Sequence, residues 1–377
     1  MVLAVCGLLL SACASAGSQI ITPLPLARTI APTIRAAPTE VAIATMLPTA
    51  SPVPTALTRP RVPAVAYSQG SFTQPWTLDE YSQEKWEQEF QLMQAVGMDI
   101  FIFQWTADGK NKTTIYPTKL EGWKHAAPYD QLERGLANAQ KYDIKVFMGL
   151  AFSEDWWEKQ GSDRAWLMQQ ASAMNQVADE IYANYYARYP QSFTGWYINW
   201  EMDNVSGYNI DISHRQNMID ALNTVAKHLH SLNPKLVSSI APYFTTNDGM
   251  QSKQWGSFWQ NLLSQTDIDV LMLQDGVGVG HAEVKDIPEW FEAVCAGVHA
   301  AGKQCWDDLE NFIGESAVNH PAALERIIAQ HQAAAPYVDK IVTFSFNAAM
   351  SPVFGNDAKA YDAYKAYVKT VATPVAP

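Results

Sequence analysis

The sequence has little of what marks the common enzyme classes. Its 377 residues include 4 cysteines, Cys6, Cys13, Cys295 and Cys305, too scattered for a zinc site. There is no His-Glu-x-x-His pair. His228 and His230 lie two apart, and on a helix that spacing puts them on different faces. Gly-x-Ser-x-Gly is missing, so no serine-nucleophile elbow is expected. Charge is sparse at 17%, and positive charge is the scarcer sign, with 26 Lys and Arg against 38 Asp and Glu. The resulting net charge of -12 argues against a nucleic-acid or anionic-membrane surface. No metal and no cofactor is expected.

The run from Val2 to Leu10 is too short to span a bilayer. Leu10-Ser11-Ala12-Cys13 follows it and resembles a bacterial lipobox, which implies cleavage before Cys13 and a lipid on its sulfur. The rival is ordinary secretion, with cleavage after Ala14-Ser15-Ala16. Residues 1–12 thus read as a signal peptide. Residues 13–62 carry repeated Thr-Pro and Pro-Thr steps and no aromatic residue after Cys13, which suits a semi-extended tether. The expected location is extracytoplasmic, with a lipid anchor as the only membrane contact and the chain as a monomer. Loss of Cys6 and lipidation of Cys13 would leave Cys295 and Cys305, which an exported protein is expected to join.

From residue 63 to 373 short apolar runs alternate with longer amphipathic stretches. Strands are expected near Ala64–Ser68 (running on to Thr73), Asp99–Trp105, Ile144–Leu150, within Phe193–Asn204, Lys235–Ala241, Ile268–Gln274, Lys303–Leu309 and Lys340–Phe346. Helices are expected between them, among them 163–189, 288–301 and 321–334. Strand–helix alternation implies parallel units, and eight of them imply an α/β fold, a (β/α)8 TIM barrel. A doubly wound open sheet is the competing arrangement. It would normally place a phosphate-binding glycine turn after the first strand, where Ser68-Gln69-Gly70-Ser71 stands.

In such a barrel, chemistry belongs at the carboxyl ends of the strands. The fourth strand ends in Asn199-Trp200-Glu201-Met202-Asp203. Alternation puts Tyr197, Asn199 and Glu201 on one side and Trp196, Ile198 and Trp200 on the other. The seventh strand ends in Asp307-Asp308-Leu309-Glu310, with Asp308 and Glu310 inward and Asp307 outward. Two carboxylates across one cleft are what glycoside cleavage needs. One protonates the leaving oxygen, and the other attacks the anomeric carbon or activates water.

Glutamates closing strands four and seven resemble the clan A retaining glycoside hydrolases. That resemblance implies Glu201 as acid/base and Glu310 as nucleophile. In that clan an Asn directly precedes the acid/base, whereas here Trp200 intervenes and Asn199 lies two back. The chain more closely resembles a little-characterised family of glycoside-hydrolase-like barrels known mainly as a domain of unknown function. Phe72-Thr73-Gln74-Pro75-Trp76, Gly97 through Thr106, Gly195 through Asp203 and Trp306 through Phe312 carry the likeness. It implies a carbohydrate substrate, a poly- or oligosaccharide outside the cell.

Gln74, Trp76, Gln104, Trp105, Asn199, Asp203, Tyr243, Gln274, Asp275, Asp308 and Asn347 fall at or near strand ends. Each is a candidate to bind substrate, its amide or carboxylate to sugar hydroxyls or its ring to a sugar face, with a structural use as the alternative. Ser153 to Trp157 either walls the cleft or starts a solvated helix. Gly276-Val277-Gly278-Val279-Gly280 follows strand six without dinucleotide-binding context and reads as a flexible rim loop. Thirteen Trp, 16 Tyr and 14 Phe fit sugar stacking, but core packing alone explains them as well. A barrel that binds carbohydrate without cleaving it is the opposing reading.

Overall fold

The computed structural model describes residues 64–314 and 320–372. Cys13, the expected signal peptide and the expected tether lie outside the described residues. Eight parallel strands close a barrel. They are β1 (Gly70–Thr73), β2 (Ile100–Phe103), β3 (Lys145–Gly149), β4 (Phe193–Ile198), β5 (Val237–Ile240), β6 (Val270–Gln274), β7 (Gln304–Glu310) and β8 (Lys340–Phe344). Each is followed by a helix: α1 (Gln83–Ala95), α2 (Gln131–Lys141), α3 (Arg164–Ile181), α4 (Ile212–Leu232), α5 (Ser252–Leu263), α6 (Ile287–Ala300), α7 (Leu324–Ala334) and α8 (Ala358–Ala372). Strand order follows chain order, and β1 closes on β8 with Gly70 opposite Val342. This is the TIM barrel.

Alternation along each strand sorts side chains into two cores. Phe72, Ile102, Phe147, Tyr197, Met272, Trp306 and Val342 fill the interior. Phe72 meets Tyr197 edge-on at 4.9 Å, and Phe147 meets Trp306 at 5.8 Å. The interior is therefore a packed plug rather than a pore, as eight strands dictate. Emptying one ring position there would cost about 3–5 kcal/mol. The opposite parity, including Phe101, Trp196, Ile198, Cys305 and Leu309, packs against the helices.

Three expected boundaries move. Residues 64–68 do not enter the sheet. Ala64 N donates instead to the carbonyls of Ala335 and Val338, and Ser68 N to the Tyr364 hydroxyl. The third helix starts at Arg164, capped by Asp163, and gives way to a π turn at Tyr182–Tyr186. The seventh helix starts at Leu324 rather than Pro321, because Pro321 bridges to Phe312 and Ala322 N donates to Asn311 O. Cys295 on α6 and Cys305 on β7 form a disulfide, with Cα atoms 5.4 Å apart. Among the described residues no helix is long and apolar enough to cross a membrane.

Candidate active site

The residue types that end β4 turn the chain out of the sheet. Asn199 Nδ2 donates to Leu150 O at 2.9 Å, at the end of β3. Trp200 faces outward and stacks on Trp156 at 5.8 Å with planes 8° apart. Trp156 Nε1 in turn donates to Glu201 O at 3.2 Å. The Ser153–Trp157 stretch thus clamps the backbone of Glu201 from the β3 side. The side-chain amides of Gln274 and Gln104, from the ends of β6 and β2, neighbour the Glu201 carboxyl and favour its ionised form. Burial pushes Glu201 up to about 7, with Glu154 adding to the rise while the two amides oppose it.

Glu310, the last residue of β7, is held differently. Its Oε2 accepts from Val279 N at 2.9 Å, and the neighbouring Gly278 N–H also favours the ionised carboxylate. These amides belong to the loop after β6, which turns at Gly276 (φ +68°) and Gly280 (φ +78°). At Gly278 a Cβ would meet Glu310 Cβ at 2.7 Å and Oε2 at 2.8 Å. Only glycine lets the backbone come this close. Behind it, Arg326 Nη2 on α7 donates to the carbonyls of Glu310 (2.8 Å) and Phe312 (2.5 Å). Burial and then Asp275 push Glu310 up to about 8, against the loop amides and Arg326. The Gly276–Gly280 segment is therefore an amide cradle for a carboxylate, not the flexible rim loop its composition suggested. Its signal was the glycine spacing one strand before a candidate nucleophile.

Asp308 lies one layer deeper with inward parity, opposite Gln274 and Val342. Burial and then Glu310, Asp275 and Glu201 push its carboxyl well above the ordinary range. Tyr197, inside the barrel, is raised by burial and by both Glu201 and Asp308. One electrostatic neighbourhood thus links the ends of β4 and β7.

Three residues expected to bind substrate are tied into the scaffold instead. Asp203 accepts from Val205 N (2.8 Å), Ser206 N (2.7 Å), Ser206 Oγ (2.6 Å) and Tyr208 Oη (3.2 Å), and so shapes the loop after β4. Asp275 is fully buried, and Val277 N, Glu310 N and Gln330 Nε2 occupy both its oxygens. Asn347 is buried between Thr77 Oγ1 and Ser345 Oγ. Their strand-end position gave no sign of this, because short polar side chains also satisfy the backbone where loops leave a sheet. Gln104 and Gln274 touch Glu201 rather than lying free. Gln74 and Trp105 are half-buried at the ends of β1 and β2. Trp76 is 47% exposed, unusual for so large an apolar side chain. Tyr243 is half-buried and stacks on His281 at 5.4 Å. His281, which follows the cradle directly, carried no sequence motif and was missed. Burial lowers its pKa, and its Nδ1 has no partner among the described residues.

Comparison with known proteins places the fold. A candidate alpha-L-fucosidase from Bacteroides thetaiotaomicron superposes with a TM-score of 0.67 at 23% identity, over 85% of this chain and 98% of that one. The endo-1,4-beta-D-mannanase of Thermotoga petrophila gives 0.54 at 12% identity, over 81% and 99%. The endo-1,4-beta-mannanase of Rhizomucor miehei gives 0.53 at 12%, over 81% and 95%. At these identities the likeness establishes the barrel alone. A search of curated proteins finds none that matches. Residues 68–356 match the model of a domain of unknown function, DUF4434, from β1 past the end of β8. The chain therefore belongs to the DUF4434 family of domains of unknown function, and its own domain is a TIM barrel.

Proposed function

We propose that the barrel is a glycoside hydrolase that cleaves O-glycosidic bonds of a poly- or oligosaccharide, with Glu201 as acid/base and Glu310 as nucleophile. The observation that carries this reading is the contrast between the two carboxyl environments. The side-chain amides of Gln104 and Gln274 favour the ionised form of Glu201, but they can turn and offer an oxygen instead once the carboxyl is protonated. Such partners serve a group that must gain and lose a proton. Backbone N–H groups hold Glu310, and they only donate, so they favour the ionised form. That suits a nucleophile. The glycosidase names of the structural neighbours support the substrate class without identifying the sugar.

Retention at the anomeric carbon follows if the two carboxyls work at about 5–5.5 Å. Step one joins a Glu310 oxygen to the anomeric carbon as that carbon's bond to the leaving oxygen breaks, and the Glu201 proton passes to the leaving oxygen. Step two reverses the roles, with water attacking and Glu201 taking its proton. An inverting reaction with Asp308 as base is the second reading. It is favoured by one observation, that Asp308 Oδ1 has no partner among the described residues. Asp203 and Asp275 no longer compete for that role, since their oxygens are occupied.

The test is reducing-sugar release from a polysaccharide panel, followed by proton NMR of the first-formed anomer. A retained product with Glu310→Ala inactive supports the reading. An inverted product moves the base to Asp308. No release from any substrate, with carbohydrate binding intact, would make the barrel a binding module. Glu201→Ala should slow substrates with poor leaving groups most.

Export with a lipid on Cys13 completes the proposal. The disulfide supports it, because such bonds persist in oxidising compartments. Mass spectrometry of the mature amino terminus tests it, and an unlipidated Cys13 would point to simple secretion.

A further inference from the structure

The Glu310 cradle has a common anchor. Asp275 follows β6 directly, at the point where the Gly276–Gly280 loop begins. Its Oδ1 accepts from Val277 N at 3.1 Å, inside the cradle loop, and from Glu310 N at 3.3 Å, on β7. Its Oδ2 accepts from Gln330 Nε2 at 2.6 Å, on α7. Gln330 Nε2 also donates to Glu310 O at 3.1 Å. Arg326, one turn earlier on α7, grips the same carbonyl at 2.8 Å. Residues four apart share a helix face, so α7 presents both groups to one point. Asp275 and Gln330 have no exposed surface at all. A buried carboxylate is costly unless its hydrogen bonds are filled, and every bond here leads to Glu310 or to the loop that holds it.

We propose that Asp275 is the positioning residue of the site, its one carboxylate locking strand, glycine cradle and helix α7 into the frame that aims Glu310. The inference rests on Glu310 being the reacting carboxylate. Asp275 touches no substrate and acts through Glu310. It also acts through charge. The groups facing Glu310 are Asp275 from the β6 end, Arg326 from α7, and Asp307 and Asp308 on its own strand. The neighbouring β8 position, Phe344, is uncharged. The negative charge of Asp275 opposes ionisation of Glu310, so removing it should make Glu310 a stronger acid.

Two variants separate frame from charge. Asp275→Ala removes both, and kcat should fall roughly 100-fold with KM little changed. Asp275→Asn keeps an oxygen for Val277 N and Glu310 N. Its new amide meets Gln330 Nε2, so Gln330 must turn its side-chain amide to present Oε1 and release Glu310 O. The variant should recover much of kcat while moving the alkaline limb of the kcat/KM profile, which follows Glu310 when its pKa is the higher of the two, down by about 1 pH unit. A merely structural Asp275 would lower melting temperature and leave that limb in place. Infrared titration of the Glu310 carboxyl, assigned with Glu310→Gln, reads the same shift without turnover. An unchanged midpoint in Asp275→Asn overturns the proposal whatever the activity. Full turnover by Glu310→Ala would instead overturn the assignment of Glu310.

Discussion

At the scale of single residues, Gly278 makes the sharpest prediction. Its φ is not in the left-handed region, so alanine meets no backbone penalty there. The whole effect of Gly278→Ala should come from its Cβ, 2.7 Å from Glu310 Cβ and 2.8 Å from Oε2. The carboxylate must leave the cradle and lose its backbone donors. Misplacing a reacting group by about 1 Å can cost about 100-fold in rate. We expect a fall of that order in kcat together with some loss of melting temperature, because the Cβ also meets Phe312 O at 2.9 Å. A well-folded Gly278→Ala protein with wild-type turnover would mean that the cradle has no part in the chemistry. Sequence reading separated Glu201 and Glu310 from the other carboxylates because parity and strand-end position single them out. It could not separate Asp203 and Asp275 from substrate-binding groups. Parity fixes the side of a sheet, but not which hydrogen bonds the following loop brings.

Between elements, two contacts carry predictions about stability. The disulfide joins α6 to β7 across 10 residues of sequence, and both sulfurs are buried. A loop that short should contribute about 2–3 kcal/mol. The double variant Cys295→Ala, Cys305→Ala should lose that much in a denaturant titration, and a loss under 1 kcal/mol would show that packing alone holds the pair. Glu89 on α1 is the second case. It is buried, Ser351 Oγ donates to its Oε2 at 2.5 Å, and Oε1 has no partner among the described residues. Burial lifts its pKa from 4.5 to about 7, so the folded protein holds a proton that the unfolded chain would release. The sign follows from proton linkage. Its contribution is complete at low pH, and stability falls as pH rises from the unfolded value through the folded one. The span corresponds to about 3 kcal/mol. Glu89→Gln should flatten the decline in melting temperature between pH 5 and pH 8. An equally steep decline in the variant would assign the titration to other groups.

For the molecule as a whole, the pH dependence of activity joins the two halves of the barrel. In the proposed mechanism Glu201 must be protonated to act first as an acid, and that form is lost as pH rises through about 7. As the proposed nucleophile Glu310 must be ionised, and that form is lost as pH falls through about 8. The productive state is therefore a minor one, most populated midway between these values. A bell-shaped kcat/KM profile with a narrow top in that interval is expected, its limbs belonging to the pair rather than to either residue. A broad plateau extending below pH 6 would show that the nucleophile is ionised far more readily than its surroundings suggest.

Eight alternations of apolar run and amphipathic stretch were enough to specify the closed barrel, because parallel strands need crossovers and the crossovers need a face to cover. The inward parity of Glu201, Asp308 and Glu310 was legible for the same local reason: neighbouring side chains on a strand point opposite ways. The partner of each carboxyl was not. Gln104 and Gln274 reach Glu201 from strands far from it in sequence, and Gln330 reaches Asp275 across 55 residues. The Gly278 amide meets Glu310 only because β6 and β7 lie side by side in register. Periodicity acts between near neighbours in the chain, so the sequence by itself determined the barrel and the rim on which its acids stand. Hydrogen bonds and desolvation act between neighbours in space, so only the tertiary structure decided which acid is cradled, which is buried as a tie, and which stands beside side-chain amides.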